Sequence, residues 1–197
     1  AEIQEQWKEL VARGNAIEPK LIEAAEKAYA ESPNADKNIS DFLVALLAER
    51  VEADDYEPAA EIGRILMEHE YPEAAAANLA GIAAFAVNDF DAAEKYFTRA
   101  AAQGYYQSPP KNDEKAKVGA MFAQLIPHYK TAWEKEKNLR DRETAAGNLP
   151  RVLLKTTKGD IELELFENQA PNTVANFISL VHRGFFKDAP FHRVIKG

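Results

Sequence analysis

From Glu2 to about Ala146 the apolar residues return at the three- and four-residue intervals of an α-helix, and from Val152 onward they alternate with polar ones. The first stretch therefore predicts an all-α region. Ile3, Trp7, Leu10 and Val11 open a helix in which Gly14 and Pro19 predict a break or kink before Leu21, Ile22, Ala25 and Tyr29 continue the stripe; Ser32-Pro33-Asn34 ends it. Ser40 is placed to cap a helix carrying Phe42, Leu43, Leu46 and Leu47, because its hydroxyl can accept from a backbone amide that has no intrahelical partner. The Gly and Pro content of residues 103–110 marks a loop. After it, Val118, Met121, Phe122, Leu125, Ile126, Tyr129 and Trp133 form one stripe on a long helix from about Asp113 to Ala146, which Pro127 should bend or interrupt.

In the alternating part, Ile161, Leu163 and Leu165 face one side and Glu162 and Glu164 the other, with Lys158-Gly159 as the turn from a preceding strand. Pro171 suits the first position of a helix with Val174, Phe177, Ile178 and Val181 on its apolar face, and Gly184 closes it. Phe191 to Ile195 should start a third strand. Gly147-Asn148-Leu149-Pro150 falls where the period changes, so the expected organisation is a helical domain over 1–146, a linker over 147–151 and a second domain over 152–197.

The helical part contains a repeat. Asp55-Tyr56-Glu57-Pro58-Ala59 and Asp89-Phe90-Asp91-Ala92-Ala93 lie 34 residues apart. In the second copy Gly81, Ala83, Phe90, Ala93, Phe97 and Ala100 resemble the small and aromatic positions of a tetratricopeptide repeat, where small residues let antiparallel helices approach and aromatics fill the groove between them. The first copy is degraded, with Gly63 where Phe97 stands in the second. The resemblance implies tetratricopeptide-like hairpins, best defined over about residues 75–104, and a region able to bind a protein partner.

Composition narrows the chemistry. The chain has no cysteine, which excludes disulfides, thiolate-ligated zinc and thiol redox chemistry. Its net charge of −8 is uneven: residues 147–197 carry seven Lys or Arg against five Asp or Glu, a balance of +2, which leaves −10 for residues 1–146. A negative surface repels phosphate backbones, so nucleic acid is not an expected partner. The longest apolar run, Ala74 to Val87, is alanine-rich and interrupted by Asn78, which suits a buried helix and not a membrane span. The expectation is a soluble protein, cytoplasmic or exported after loss of a signal peptide.

The hairpin Val152–Phe166, the run Ala170-Pro171-Asn172-Thr173-Val174-Ala175-Asn176-Phe177, Gly184-Phe185-Phe186 and the run Phe191-His192-Arg193-Val194 together resemble the opening stretch of a cyclophilin, the peptidyl-prolyl cis-trans isomerase family. The resemblance implies an incomplete β-barrel built of a hairpin, a helix and the start of a third strand. Within it Arg193 would be the catalytic arginine, with Phe191 and His192 as substrate-binding residues and proline-containing polypeptides as substrates. No cofactor and no metal is implied. The family's proline-binding cup comes from later strands, so this polypeptide is expected to be truncated and inactive by itself. Its bare apolar residues, Leu163, Leu165, Phe177 and Phe191, should then dock on the helical region, pair with another copy or be covered by further chain. A second reading is a non-catalytic, tetratricopeptide-like binding or scaffold module.

Other candidates have plainer roles. His69, His128, His182 and His192 lack metal-ligand spacing. Asp54-Asp55 diverge as sequence neighbours and suit a turn between helices better than an acid–base pair. Asn78, Lys95 and Arg99 are placed to line a peptide groove, but the clamp that grips chaperone tails is not reproduced, because Ile82 and alanines occupy its helix.

Overall fold

The computed structural model describes residues 2–109, 111 and 113–194, with the side chains of Glu2 and Asn15 excepted. Among the described residues seven helices and one hairpin follow in order: α1 (Glu2–Glu31), α2 (Lys37–Glu52), α3 (Tyr56–Glu68), α4 (Ala74–Ala86), α5 (Phe90–Ala102), α6 (Glu114–Ala146), β1 (Arg151–Thr156), β2 (Gly159–Glu164) and α7 (Pro171–His182). They divide into two compact units, one ending at Thr131 and the next beginning at Ala132.

The first unit is built around α4. A helix this rich in alanine has no polar face to show water, and Ala76, Ala77, Ala80, Ala83 and Ala84 are all buried. The apolar run that could have suggested a membrane is thus the centre of a helical core, and no described helix is long and apolar enough to cross a bilayer. Two glycines permit the close packing. A Cβ on Gly63 of α3 would lie 2.8 Å from the Cβ of Ala80, and one on Gly81 would lie 2.5 Å from the Phe97 ring of α5. Asn78, fully buried on α4, donates to the Lys115 carbonyl (3.0 Å) and accepts from the Tyr106 hydroxyl (2.9 Å), so that its amide is satisfied on both sides. Burial pushes the Tyr106 hydroxyl up, which keeps it a proton donor.

Helices α2 to α5 end alike. Asp54, Glu70, Asn88 and Gly104 take left-handed backbone angles (φ 56°, 56°, 65° and 76°), and the next amide in each case reaches back five residues: Asp55 to Arg50, Tyr71 to Leu66, Asp89 to Ala84 and Tyr105 to Ala100, at 2.9–3.2 Å. Asp54 and Asn88 are 34 residues apart, as are Glu70 and Gly104. The repeat read from composition is therefore also a repeat of helix termini.

Several local expectations are corrected. Gly14 and Pro19 do not break α1, which is continuous from Glu2 to Glu31; this part is exposed, and water can take the carbonyl that the missing proline amide leaves without a donor. Pro127 likewise sits inside an unbroken α6, where Thr131 Oγ1 donates to the Pro127 carbonyl (3.1 Å). Ser40 is not a cap. Asp36 is, accepting from the Asn38 amide at 2.8 Å, while Ser40 lies one turn inside α2 and donates its hydroxyl to the Asp36 carbonyl. The start of α6 is held by Asp113, which accepts from the Ala116 amide (3.1 Å). The α6 stripe splits: Ile126 is buried, whereas Met121 and Tyr129 are exposed and Ala116 and Gly119 turn inward.

The Phe97 ring cannot retreat as a flexible chain end could, so Gly81→Ala should destabilise the first unit by about 1–3 kcal/mol in urea unfolding. Phe97→Leu in the same chain should return part of that loss. A strictly additive pair would show that the two residues do not compete for one space.

Candidate functional site

In the second unit, β1 and β2 pair antiparallel with Val152 opposite Leu163 and Leu154 opposite Ile161 on one face, and Arg151 opposite Glu164, Leu153 opposite Glu162 and Lys155 opposite Asp160 on the other. Alternation thus sorts the hairpin into an apolar side and a charged side. Arg151 spans the charged side, donating from Nη1 to Glu162 (2.9 Å) and from Nη2 to Glu164 (2.9 Å). All three are exposed, so solvent screens both pairs and they contribute little to stability. The turn lies one residue earlier than expected, at Thr157-Lys158. Gly159 already pairs with Thr156 and carries the positive φ of 126°, while Thr156 Oγ1 donates to the Gly159 carbonyl (2.7 Å) and accepts from the Lys158 amide (3.1 Å).

Helix α7 begins with Pro171, which needs no amide partner at that position, and closes at Gly184 (φ 68°), with Phe185 N–H donating to the Leu180 carbonyl at 3.0 Å. Val174 is its buried residue, and Phe177, Phe186 and Phe185 form an aromatic chain at its end, with centroids 5.3 and 5.2 Å apart.

The loop from β2 to α7 is held by the last turns of α6. The Arg140 guanidinium lies 3.5 Å from the centre of the Phe166 ring. Glu143 is buried, and its Oε1 accepts from Gln169 Nε2 (2.6 Å) and Asn168 Nδ2 (3.2 Å), while Oε2 is buried with no hydrogen-bond partner. The Gln169 amide, then that of Asn168 and the nearby Arg140 and Arg142 charges, hold the Glu143 carboxyl below its ordinary value. Nothing in the sequence marked this cluster, because it joins residues 25 and 26 positions apart through tertiary packing alone.

The expected third strand is not formed. Residues 191–194 have no regular structure, and Ile195 lies outside the described residues. The sheet of the described residues has two strands only, and an extended segment with no neighbour has nowhere to place its backbone hydrogen bonds. Phe191, His192 and Arg193 are accordingly exposed, Phe191 by 66% and the adjoining Val194 by 84%. Arg193 is exposed and, among the described residues, makes no side-chain hydrogen bond or ion pair. The apolar side is also partly open: Ile161, Phe166, Phe185 and Phe186 are exposed, and Leu163, Leu165 and Phe177 are half-buried.

The groove candidates of the helical unit are otherwise engaged. Asn78 is consumed as described, and Arg99 donates to the Tyr71 carbonyl at 2.6 Å; Lys95 is exposed. Asp54 and Asp55 occupy the turn between α2 and α3.

Comparison with known proteins bears on the second unit. Residues 151–197 match the family model described as cyclophilin type peptidyl-prolyl cis-trans isomerase/CLD. This segment resembles the cyclophilin-type isomerases. It is 51% identical over 49 residues to a peptidyl-prolyl cis-trans isomerase of Synechococcus elongatus, covering 25% of this chain and 34% of the relative. An isomerase of Helicobacter pylori is 52% identical over 61 residues, or 31% of this chain and 37% of the relative. A peptidyl-prolyl cis-trans isomerase-like 2 protein of Emericella nidulans is 54% identical over 44 residues, 22% of this chain and 8% of the relative. The chain thus spans about a third of the first two relatives. No solved structure matches.

Because the folded carboxyl of Glu143 sits below the ordinary value of 4.5, its contribution is fully present above that value and is lost as the pH falls through the lower folded one. Thermal melting of the second unit, followed by the Gln169 side-chain amide resonance, should show this acid-side loss. Glu143→Gln should flatten it, and an unchanged acid limb in that variant would remove Glu143 as its source.

Proposed function

We propose that residues 151–197 are the opening part of a cyclophilin-type peptidyl-prolyl cis-trans isomerase domain, that Arg193 is its catalytic residue and Phe191 and His192 contact the substrate, and that the helical unit is a tetratricopeptide-like platform for a protein partner. The observation that carries the reading is the match of residues 151–197 to the family model, which includes the Phe191-His192-Arg193-Val194 run. The one-sided hairpin and the proline-led helix supply the local architecture that the reading needs.

The chemistry asks for little apparatus. Rotation about a prolyl bond is opposed by amide resonance, a barrier of roughly 18–20 kcal/mol. As the bond twists, the nitrogen recovers its lone pair, and a fixed donor at that point binds the twisted amide better than either planar form. A guanidinium suits the role, since it stays charged at every working pH and presents its donors in a plane. Under this reading Arg193 must be held against the substrate by further strands, which also cover Ile161, Phe185 and Phe186. A polypeptide of residues 1–197 alone, with Arg193 on an irregular exposed segment, is then inactive.

A second reading is that the chain is a non-catalytic binding or scaffold module, resting on the helical unit, whose core is complete without the second unit. For the helical unit, the 34-residue recurrence of helix termini and the Gly81–Phe97 approach support tetratricopeptide-like packing.

Proline isomerisation of a short peptide, measured with the full gene product, separates the two readings. The isomerase reading expects acceleration that Arg193→Ala lowers by about 100-fold or more, the scale of losing one transition-state donor. No acceleration by the full gene product leaves the scaffold reading, and acceleration indifferent to Arg193 removes its assigned role.

A further inference from the structure

The first two-thirds of α1 lies largely in solvent, with Glu18 reaching Arg50 of α2. Every described side chain from Ile3 to Leu21 is exposed, whereas Ala25 and Tyr29 further along join the core of the first unit. The apolar residues in this projecting part are not scattered. Ile3, Trp7, Leu10, Gly14, Ile17 and Leu21 follow one another in alternating steps of four and three, and five of the six are large and apolar, with Ile3 81%, Trp7 68% and Leu10 59% exposed. A strict spacing of 3.5 residues is the seam of two helices wound around each other; a helix lying on a globular core needs a wider stripe with a period of 3.6.

We propose that two copies of this chain pair through the seam as a parallel coiled coil. The charges beside the seam choose the occupant and its direction. Arg13 lies on one flank and Glu18 on the other, five residues on, the separation at which opposite flanks meet in a parallel pair; symmetry then forms the Arg13–Glu18 contact twice. An antiparallel pair would instead set the flank of Arg13 and Lys20 against its own copy, cation against cation. The Glu18 carboxylate already accepts from Arg50 Nη2 through Oε1 at 3.0 Å, so in the pair it would be shared between Arg50 and the copy's Arg13. Pro19 lies on the side of the helix away from the seam and does not obstruct it. At Gly14 a Cβ would meet nothing within 4 Å, which leaves room in the seam for a larger side chain. The pairing is independent of the isomerase reading.

Sedimentation equilibrium of the chain should give a dimer. Leu10→Glu should return it to monomer without moving the urea transition of the core, because Leu10 touches none of it. Gly14→Leu should tighten the dimer by about tenfold or more, the scale of burying a leucine. The absence of native cysteine allows a direct test of direction: in a parallel pair Ile3→Cys faces its own copy, and oxidation should give a covalent dimer. A monomer at all concentrations, a dimer indifferent to Leu10→Glu and therefore held by another surface, or an Ile3→Cys dimer that oxidation does not cross-link would each overturn the proposal.

Discussion

Helix α4 has to be covered on all sides, and the helical unit follows from that demand. A run of alanines gives little area per residue, so it contributes to stability only where neighbouring backbones come close. Gly63 and Gly81 permit that approach from α3 and toward α5. The cost of close packing is that polar groups on α4 lose water, and Asn78 meets it by bonding to Tyr106 and to the backbone of α6. At Gly119 the same crowding appears from the other side, since any Cβ there would run into the Asn78 amide. Small residues, a buried amide and a glycine on the next helix are therefore parts of one packing solution.

Part of that solution was legible in the sequence, although Asn78 was read as a groove residue and Gly119 went unmarked. Helical period, the alanine run and the 34-residue recurrence all survive in composition. Helix ends were less legible. Of the four left-handed residues that close α2 to α5 only Gly104 announces itself; Asp54 and Asn88 tolerate the conformation, and Glu70 takes it at a cost of roughly 1–2 kcal/mol that the surrounding turn must offset. Ser40 was read as the cap because its type suits one, but α2 begins a turn earlier, at Lys37, where Asp36 caps it. Pro19 and Pro127 were read as breaks or bends; neither breaks its helix, because a single lost hydrogen bond is tolerable in a long helix.

The second unit divides differently. Its hairpin and α7 are local and were visible as period and punctuation, with the turn displaced by one residue because Gly159 serves the ladder as well as the bend. Glu143 was invisible. A buried carboxylate that gathers two amides from a distant loop has no sequence signature. The conformation of Arg193 belongs to the same class of problem. A strand is defined by its neighbours, so the residues that resemble an active-site entrance stay irregular while no strand pairs with them.

Two apolar surfaces are open in the described residues, and their patterns ask for different covers. Around the hairpin the exposed groups are Ile161, Phe166, Phe185 and Phe186, which come from a strand, a loop and a turn and share no period. A surface of that kind asks for a cover of matching irregular shape, which a single regular helix does not supply. On α1 the exposed groups keep a 3.5-residue beat through six positions, including a glycine that a packed core would have had reason to fill. A regular seam needs a regular partner. A helix that repeats the same spacing supplies it with no new sequence, and a second copy of α1 has that spacing by identity.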